Sequence, residues 1–231
     1  MKMKFLFFSA AAFLLGTATV QAQGGQIRAG LNLANVSVND NGRVDDANML
    51  TTFHVGFLGD VPLAGNFLSL QPGLLFTGKG SKIQNGEPDE NGYFKQSSNP
   101  FYLEVPLNFL VKAPIGSENK FYAGAGPYIA VGIAGKNKTE GRTILGTYNN
   151  ERDITFSDDD PTTLSEEEGA GFGILKRFDY GLNGIVGIEG KSIVLGVNYG
   201  LGLAKLQSGS NNNQDNNNKH RVLGITVGFK L

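Results

Sequence analysis

The chain has 231 residues, with 20 Lys and Arg against 21 Asp and Glu for a net charge of −1, no cysteine and no tryptophan. This balance argues against a nucleic-acid partner, and the missing thiols exclude a disulfide framework and any cysteine-ligated metal. Glycine, at 33 residues, is about twice its usual share of roughly 7%, and it sits inside the apolar segments rather than in linkers.

The N-terminus reads as a processing signal. Lys2 and Lys4 precede an apolar run from Phe5 to Gly16, and Val20-Gln21-Ala22 has the small-residue spelling of a cleavage site. A run this short cannot span a membrane as a helix, and its flanks are those of a secretory signal peptide. Cleavage is expected after Ala22, so residues 1–22 are the signal and 23–231 a single domain. No later stretch approaches eighteen consecutive apolar residues, which excludes a helical membrane protein.

Beyond the signal the dominant period is two. In residues 101–112, Phe101, Leu103, Val105, Leu107, Phe109 and Val111 share one face. Tyr102, Glu104, Pro106, Asn108, Leu110 and Lys112 share the other. A strand separates these sets, whereas a helix would scatter both around its axis. Eight such segments follow in order, near 26–36, 51–60, 67–78, 100–112, 120–134, 172–189, 191–205 and 220–231. Long polar loops (37–50, 79–99, 135–171, 206–219) alternate with short links (Val61–Asn66, Ala113–Asn119 and the turn at Gly190-Lys191). Short turns at one end and long loops at the other are the plan of an outer-membrane barrel. The predicted fold is therefore all-β: a closed antiparallel up-and-down transmembrane barrel of eight strands. Closure is required because unpaired backbone groups find no water in lipid, and an even strand number brings both termini to the short-turn, periplasmic side.

The pattern resembles a known family. The signal peptide, the "YLEVPLNFLVK" strand, the "FDYGLNGIVGIEG…VLGVNYGLGL" hairpin and the terminal "VLGITVGFKL" strand resemble the PorT-like outer-membrane β-barrel family of the Bacteroidota. That resemblance covers essentially the whole mature chain. It implies an eight-stranded barrel in the outer membrane of a Gram-negative bacterium. One named member of that family assists a protein-secretion system.

The inward face carries the candidate site residues. Alternation places Arg28, Asn32, His54, Gln71, Tyr102, Glu104, Asn108, Lys112, Tyr122, Asn183, Glu189, Asn198 and Lys230 in the lumen. An eight-stranded barrel has an interior just wide enough for side chains to fill, so this set reads as a self-satisfied network that plugs the lumen. The alternative is the selectivity lining of a narrow, porin-like channel for ions or small solutes. In the hairpin, Tyr180, Leu182, Gly184, Val186 and Ile188 are expected to face lipid. Gly181, Gly187, Gly196, Gly200 and Gly202 are expected to face a crowded interior.

Other candidates carry less. His54 and His220 are both expected near the long-loop end, yet two histidines without a spaced Ser-His-Asp set make neither a metal centre nor a catalytic site. No enzymatic activity and no cofactor are expected. From Glu151 to Glu168 the longest loop holds eight acids against one arginine. Its clusters, Asp158, Asp159 and Asp160 and then Glu166, Glu167 and Glu168, have the hard oxygens Ca²⁺ needs but not EF-hand spacing, so they read as a solvated acidic surface. The tract 208–219 is a low-complexity exposed loop. Tyr93, Phe94, Phe101, Phe121 and Tyr122 are candidates for interfacial aromatic girdles. The glycine-rich "YAGAGPYIAVGIAG" at 122–135 continues a strand and lacks the phosphate-loop lysine.

The expected role is therefore structural or surface-interacting, with loop 135–171 as the contact surface. A third reading is a soluble exported barrel with an apolar ligand inside. Expected partners are outer-membrane lipid, the barrel-assembly machinery during insertion and a surface or envelope protein.

Overall fold

Each period-two segment forms a strand, and each strand pairs with its sequence neighbours until the last returns to the first. The computed structural model describes residues 24–37, 49–65, 67–144, 146–157, 174–206 and 218–231. In chain order the strands are β1 (Gln26–Ser37), β2 (Leu50–Leu58), β3 (Val61–Ala64), β4 (Leu68–Gly78), β5 (Ser81–Asn85), β6 (Phe94–Ile115), β7 (Asn119–Thr143), β8 (Gly146–Asp153), β9 (Thr155–Phe156), β10 (Ile174–Leu175), β11 (Phe178–Glu189), β12 (Ile193–Gly202) and β13 (Lys219–Lys230). Eight of them, β1, β2, β4, β6, β7, β11, β12 and β13, close into an antiparallel ring. Closure is continuous along β1, which pairs with β13 from Gln26↔Lys230 to Ser37↔Lys219. No edge of the ring is left to lipid, as a strand-built membrane domain requires.

The sheet is inverted relative to a water-soluble barrel. Along β6 the even residues from Tyr102 to Lys112 are buried while the odd residues point outward. Leu31 and Ile129 on the outer face are 60% and 65% exposed, whereas Tyr102 and Tyr122 inside are 0% and 1% exposed. Apolar side chains therefore coat the outside and polar ones fill the inside. A soluble barrel with an apolar ligand in its interior requires the opposite, and that reading does not fit.

Two of the glycines expected inside owe their place to one ring. A Cβ on Gly187 would lie 2.5 Å from the Tyr122 hydroxyl and 2.1 Å from the Leu195 carbonyl oxygen, and a Cβ on Gly196 would lie 2.4 Å from the same hydroxyl. Tyr122 lies along the inner wall over the two neighbouring strands, directly opposite Gly187 on β11 and then over Gly196 on β12, a floor that only glycine provides. Gly184, on the lipid face, has open space around it.

The structure departs from the sequence expectation at the long-loop end. Two ring strands are far longer than expected: β6 has 22 residues and β7 has 25, against 9 to 12 in the rest of the ring. The loops expected at 79–99 and 135–171 contain β5, which pairs with β6, and β8, which pairs with β7. β11 starts at Phe178 rather than near 172, because Ile174–Leu175 leave the ring and form a two-stranded parallel sheet with Thr155–Phe156. The reason is physical: a sheet wet on both faces has no apolar face, so hydrophobic periodicity does not reveal it.

The aromatic expectations divide. Phe53, Phe76 and Phe101 form a cluster with centroids 5.0 to 5.9 Å apart, with Phe101 as the predicted member. Tyr122 points into the lumen and Tyr93 is buried, so neither belongs to a lipid-facing girdle. The signal segment 1–22, the acidic clusters Asp158–Asp160 and Glu166–Glu168, and most of 208–219 lie outside the described residues.

Candidate functional site

The barrel interior contains three tiers of polar contacts beneath an apolar cap. At the long-loop end, Lys79 follows β4 and its ammonium lies 2.9 Å from Glu104 Oε2 and 2.7 Å from Asp179 Oδ2. The Tyr128 hydroxyl donates to the same Asp179 oxygen at 3.2 Å, and the Lys79 ammonium sits 4.1 Å from the centre of the Tyr128 ring. Asn183 Nδ2 donates to Glu104 Oε1 at 3.2 Å. His220 Nε2 is 3.3 Å from the Tyr102 hydroxyl, with the two rings edge to face. One lysine thus serves two carboxylates, and neighbouring aromatic faces surround its charge.

The middle tier is neutral. Asn32 Nδ2 donates to Thr77 Oγ1 and to the Gly78 carbonyl, both at 3.0 Å. Its oxygen therefore accepts from His54 Nδ1 at 2.7 Å, which places the ring proton on that nitrogen. His54 Nε2 is 2.9 Å from Thr226 Oγ1, which is itself 3.0 Å from Asn198 Oδ1. A single hydroxyl proton cannot serve both, so the protonation of His54 is coupled to the orientation of the Asn198 amide. A cavity of about 50 Å³ opens beside this chain, lined among others by Arg28, Asn108, Asn183 and Asn198. Asn108 Oδ1 is buried without a protein partner, and the space is large enough for a few water molecules.

At the short-turn end, Glu189 bridges two lysines, accepting from Lys112 at 2.8 Å and from Lys230 at 2.6 Å. Lys112 also pairs with Asp60. Arg28 directs two nitrogens at Gln26 Oε1, at 2.9 and 2.8 Å, and stands over the Tyr122 ring. Across the three tiers four cations (Arg28, Lys79, Lys112, Lys230) match four carboxylates (Asp60, Glu104, Asp179, Glu189). Ion pairs hold all of these but Arg28, which meets the Gln26 amide and the Tyr122 ring instead, and pairing avoids the several kcal/mol that an unpaired buried charge costs.

The cap is built from the segment that follows β8. Ile154 packs with Val36, Leu175 and Leu206, with Phe156 against the group. Phe156 also reaches down to Tyr102, Tyr128 and Ala130, its ring edge-on to Tyr102 at 5.7 Å. It occupies the volume a side chain at Gly132 would need, with Cε1 2.2 Å from the Cβ position. Backbone bonds hold the strap in place: Ile154 N–H to Gly135 O at 2.9 Å, Ser157 N–H to Leu175 O at 3.0 Å and Lys176 N–H to Leu206 O at 2.7 Å.

Above the cap stands a separate exposed feature. Ring pairing of β6 and β7 with their neighbours stops at Gly78↔Phe101 and Phe178↔Val131. Beyond those points β5, β6, β7 and β8 form a four-stranded antiparallel sheet. All eight residues of β8 are exposed, and among the described residues β8 pairs only with β7. Lys136–Glu151 and Lys138–Glu140 ion pairs join or flank these strands. The hydrogen bond from Lys138 lowers the Glu140 carboxyl below its ordinary value, and that from Lys136 does the same for Glu151.

All the predicted lumen residues lie on ring strands, but not as one cluster. Glu104 and Asn183 join the upper tier. His54 and Asn198 lie in the middle tier, while Arg28, Lys112, Tyr122, Glu189 and Lys230 lie at the bottom. The two histidines do not approach each other. His54 is level with Gly30 on β1 and His220 with Val36, six residues apart or about 20 Å along a strand. Among the described residues no group of three or more His, Asp or Glu could hold a metal. Sequence reading missed Lys79 and Asp179, the centre of the upper tier. Parity held the signal for both: Asp179 is in phase with Gly181, Asn183 and Glu189, and Lys79 with Gln71 and Thr77.

Among solved structures the chain is similar to Ail, the attachment invasion locus protein of Yersinia pestis. Identity is 12% over 90% of this chain and 98% of that one, with a TM-score of 0.40. It is also similar to Neisserial surface protein A, at 14% identity over 90% and 96% of the two chains and a TM-score of 0.39. No curated protein matches it in sequence. The family model for the outer membrane protein beta-barrel domain matches residues 21–208, and with its closed, inverted eight-stranded ring this chain belongs to that family.

Proposed function

We propose that this protein is exported by its N-terminal signal, inserted by the barrel-assembly machinery and held with both termini in the periplasm. In this reading its lumen is closed by its own side chains, and it acts non-catalytically, by surface contact. The observation that carries the contact role is the β5–β8 sheet. Ring strands of ordinary length already span a bilayer, so the extra length of β6 and β7 serves something beyond the membrane. Proteins usually blunt an exposed sheet edge with proline, lysine or a covering segment. β8, Gly146-Thr-Tyr-Asn-Asn-Glu-Arg-Asp153, has neither proline nor lysine and gathers its charges at one end, Glu151 to Asp153, so Gly146–Asn150 is the part open to an added strand. The contact surface foreseen for 135–171 thus narrows to β8 and the acidic segment after it. Closure of the lumen is supported by the paired charges and the Phe156 cap: the mid-barrel cavity is about 50 Å³, and the wider space of about 240 Å³ lies at the short-turn end among Gln26, Lys112, Glu189 and Lys230. The strand motifs support the finer kinship with the PorT-like proteins of the Bacteroidota.

The test is to replace residues 137–152 with a two-residue Asn-Gly turn, so that Lys136 and Asp153, which already pair across the sheet, close a shorter hairpin. Intact cells bearing this variant are expected to lose adhesion to surfaces and partner cells while the barrel keeps its heat-modifiable gel migration. Unchanged adhesion with a folded barrel would remove the sheet from the function. In planar bilayers the native protein is expected to show no stepwise conductance, and steps would favour a narrow channel instead.

A further inference from the structure

Among the described residues, one arc of the long-loop rim gathers cations without carboxylates to match. At the ends of β11, β12 and β13 stand Lys176, Arg177, Lys205, Lys219 and Arg221, and the backbone holds these ends side by side. Lys176 N–H donates to Leu206 O at 2.7 Å, and Leu206 N–H to Asn218 O at 3.1 Å. The carboxylate in this stretch, Asp179, points into the lumen and is taken by Lys79. Among the described residues Lys176, Lys205, Lys219 and Arg221 have no ion pair. Elsewhere on the surface Lys136 pairs with Glu151, Lys138 with Glu140 and Lys191 with Glu118, while Lys82 and Lys120 stand singly rather than in a cluster. Arg221 is held at the rim by two carbonyls, Gly202 O and His220 O, each 2.8 Å from Nη1.

The outer surface directly below this cluster is lipid-facing. Phe178, Tyr180, Leu203, Leu223 and Tyr199 are all exposed. Cations continuous with an apolar belt, with tyrosines between them, match the boundary where acyl chains give way to headgroups. A soluble protein partner would not need the patch to begin where the apolar belt ends.

We propose that this rim binds the phosphate groups of an anionic lipid in the leaflet that surrounds the long-loop end. The inference rests on the membrane placement given above. Near an anionic surface each lysine contributes roughly fivefold in binding, so three together are worth on the order of a hundredfold.

The test uses the full-length mature protein in nanodiscs containing equal amounts of bisphosphorylated lipid A and its dephosphorylated analogue. Native mass spectrometry counts the lipids retained on release. Wild type is expected to retain the phosphorylated lipid at least tenfold over the analogue. Lys176→Gln with Lys205→Gln and Lys219→Gln should abolish that preference, while Lys82→Gln with Lys95→Gln, on the projecting sheet, should keep it. Equal retention of the two lipids by wild type, or an unchanged preference in the triple variant, overturns the proposal. If wild type shows no preference and neutralising Asp158–Asp160 and Glu166–Glu168 creates one, the chain's own acids occupy the rim and the lipid assignment falls. Failure to insert into nanodiscs would overturn the membrane reading as well, whereas insertion without preference overturns this inference alone.

Discussion

Lys79 and Asp179, 100 residues apart in sequence, meet inside the barrel with 2.7 Å between Nζ and Oδ2. The contact ties the end of β4 to the start of β11 across the lumen, and Glu104 joins from β6 at 2.9 Å. Replacing Lys79 with Met leaves two buried carboxylates unpaired. The expected loss is about 3–5 kcal/mol, read from urea unfolding of the protein in lipid vesicles. Adding Asp179→Asn and Glu104→Gln should recover part of it, because neutral amides cost less to bury. A loss under 1 kcal/mol in the single variant would show that solvent reaches the site.

The glycines supply a paired prediction. Gly187→Ala sets a methyl against the Leu195 carbonyl and the Tyr122 hydroxyl, and overpacking of this kind costs about 1–3 kcal/mol. Gly184→Ala, three residues earlier, adds a methyl to open space on the lipid face and should be neutral or slightly stabilising. Parallel unfolding titrations compare them, and equal effects would mean that face does not matter.

Phe156 packs at the long-loop mouth, edge-on to Tyr102. Phe156→Ala removes the ring from Tyr102, Tyr128 and the space above Gly132. Amide hydrogen exchange is expected to rise in Ile154–Ser157 and Ile174–Arg177 first, since the strap loses its apolar anchor. The lower tiers at Glu189 and Lys112 should keep their protection. A uniform rise along all eight strands would mean that Phe156 supports the whole barrel rather than a local cap.

The projecting sheet should respond to acid while the barrel does not. Glu140 and Glu151 are held below the ordinary glutamate value of 4.5 by Lys138 and Lys136. A depressed carboxylate contributes stability that is present above the unfolded value and is lost as pH falls through the folded one. The pairs are exposed, so added salt screens them too. Backbone resonances of Gly146–Asp153 are expected to broaden below about pH 4.5 and at high salt while those of β12 stay sharp. Insensitivity of β8 to both conditions would show that backbone pairing alone holds it.

Sequence by itself determined the ring. Strict alternation between lipid-facing and inward residues is legible because a one-residue slip would turn every side chain to the wrong solvent. The eight strands, their order and the inward placement of Arg28, His54, Glu104, Lys112, Glu189 and Lys230 all follow from that. Tertiary structure alone decided how those inward residues group. Strand tilt and stagger set the level of each side chain, so parity told that Glu104 points inward but not that it shares Lys79 with Asp179. The two histidines show the same limit: one barrel and one face, yet different tiers. The β5–β8 sheet lay beyond the reach of pattern, because water on both faces imposes no period. The Phe156 cap was hidden because a single apolar ring in a polar loop acquires its meaning only from the mouth it covers.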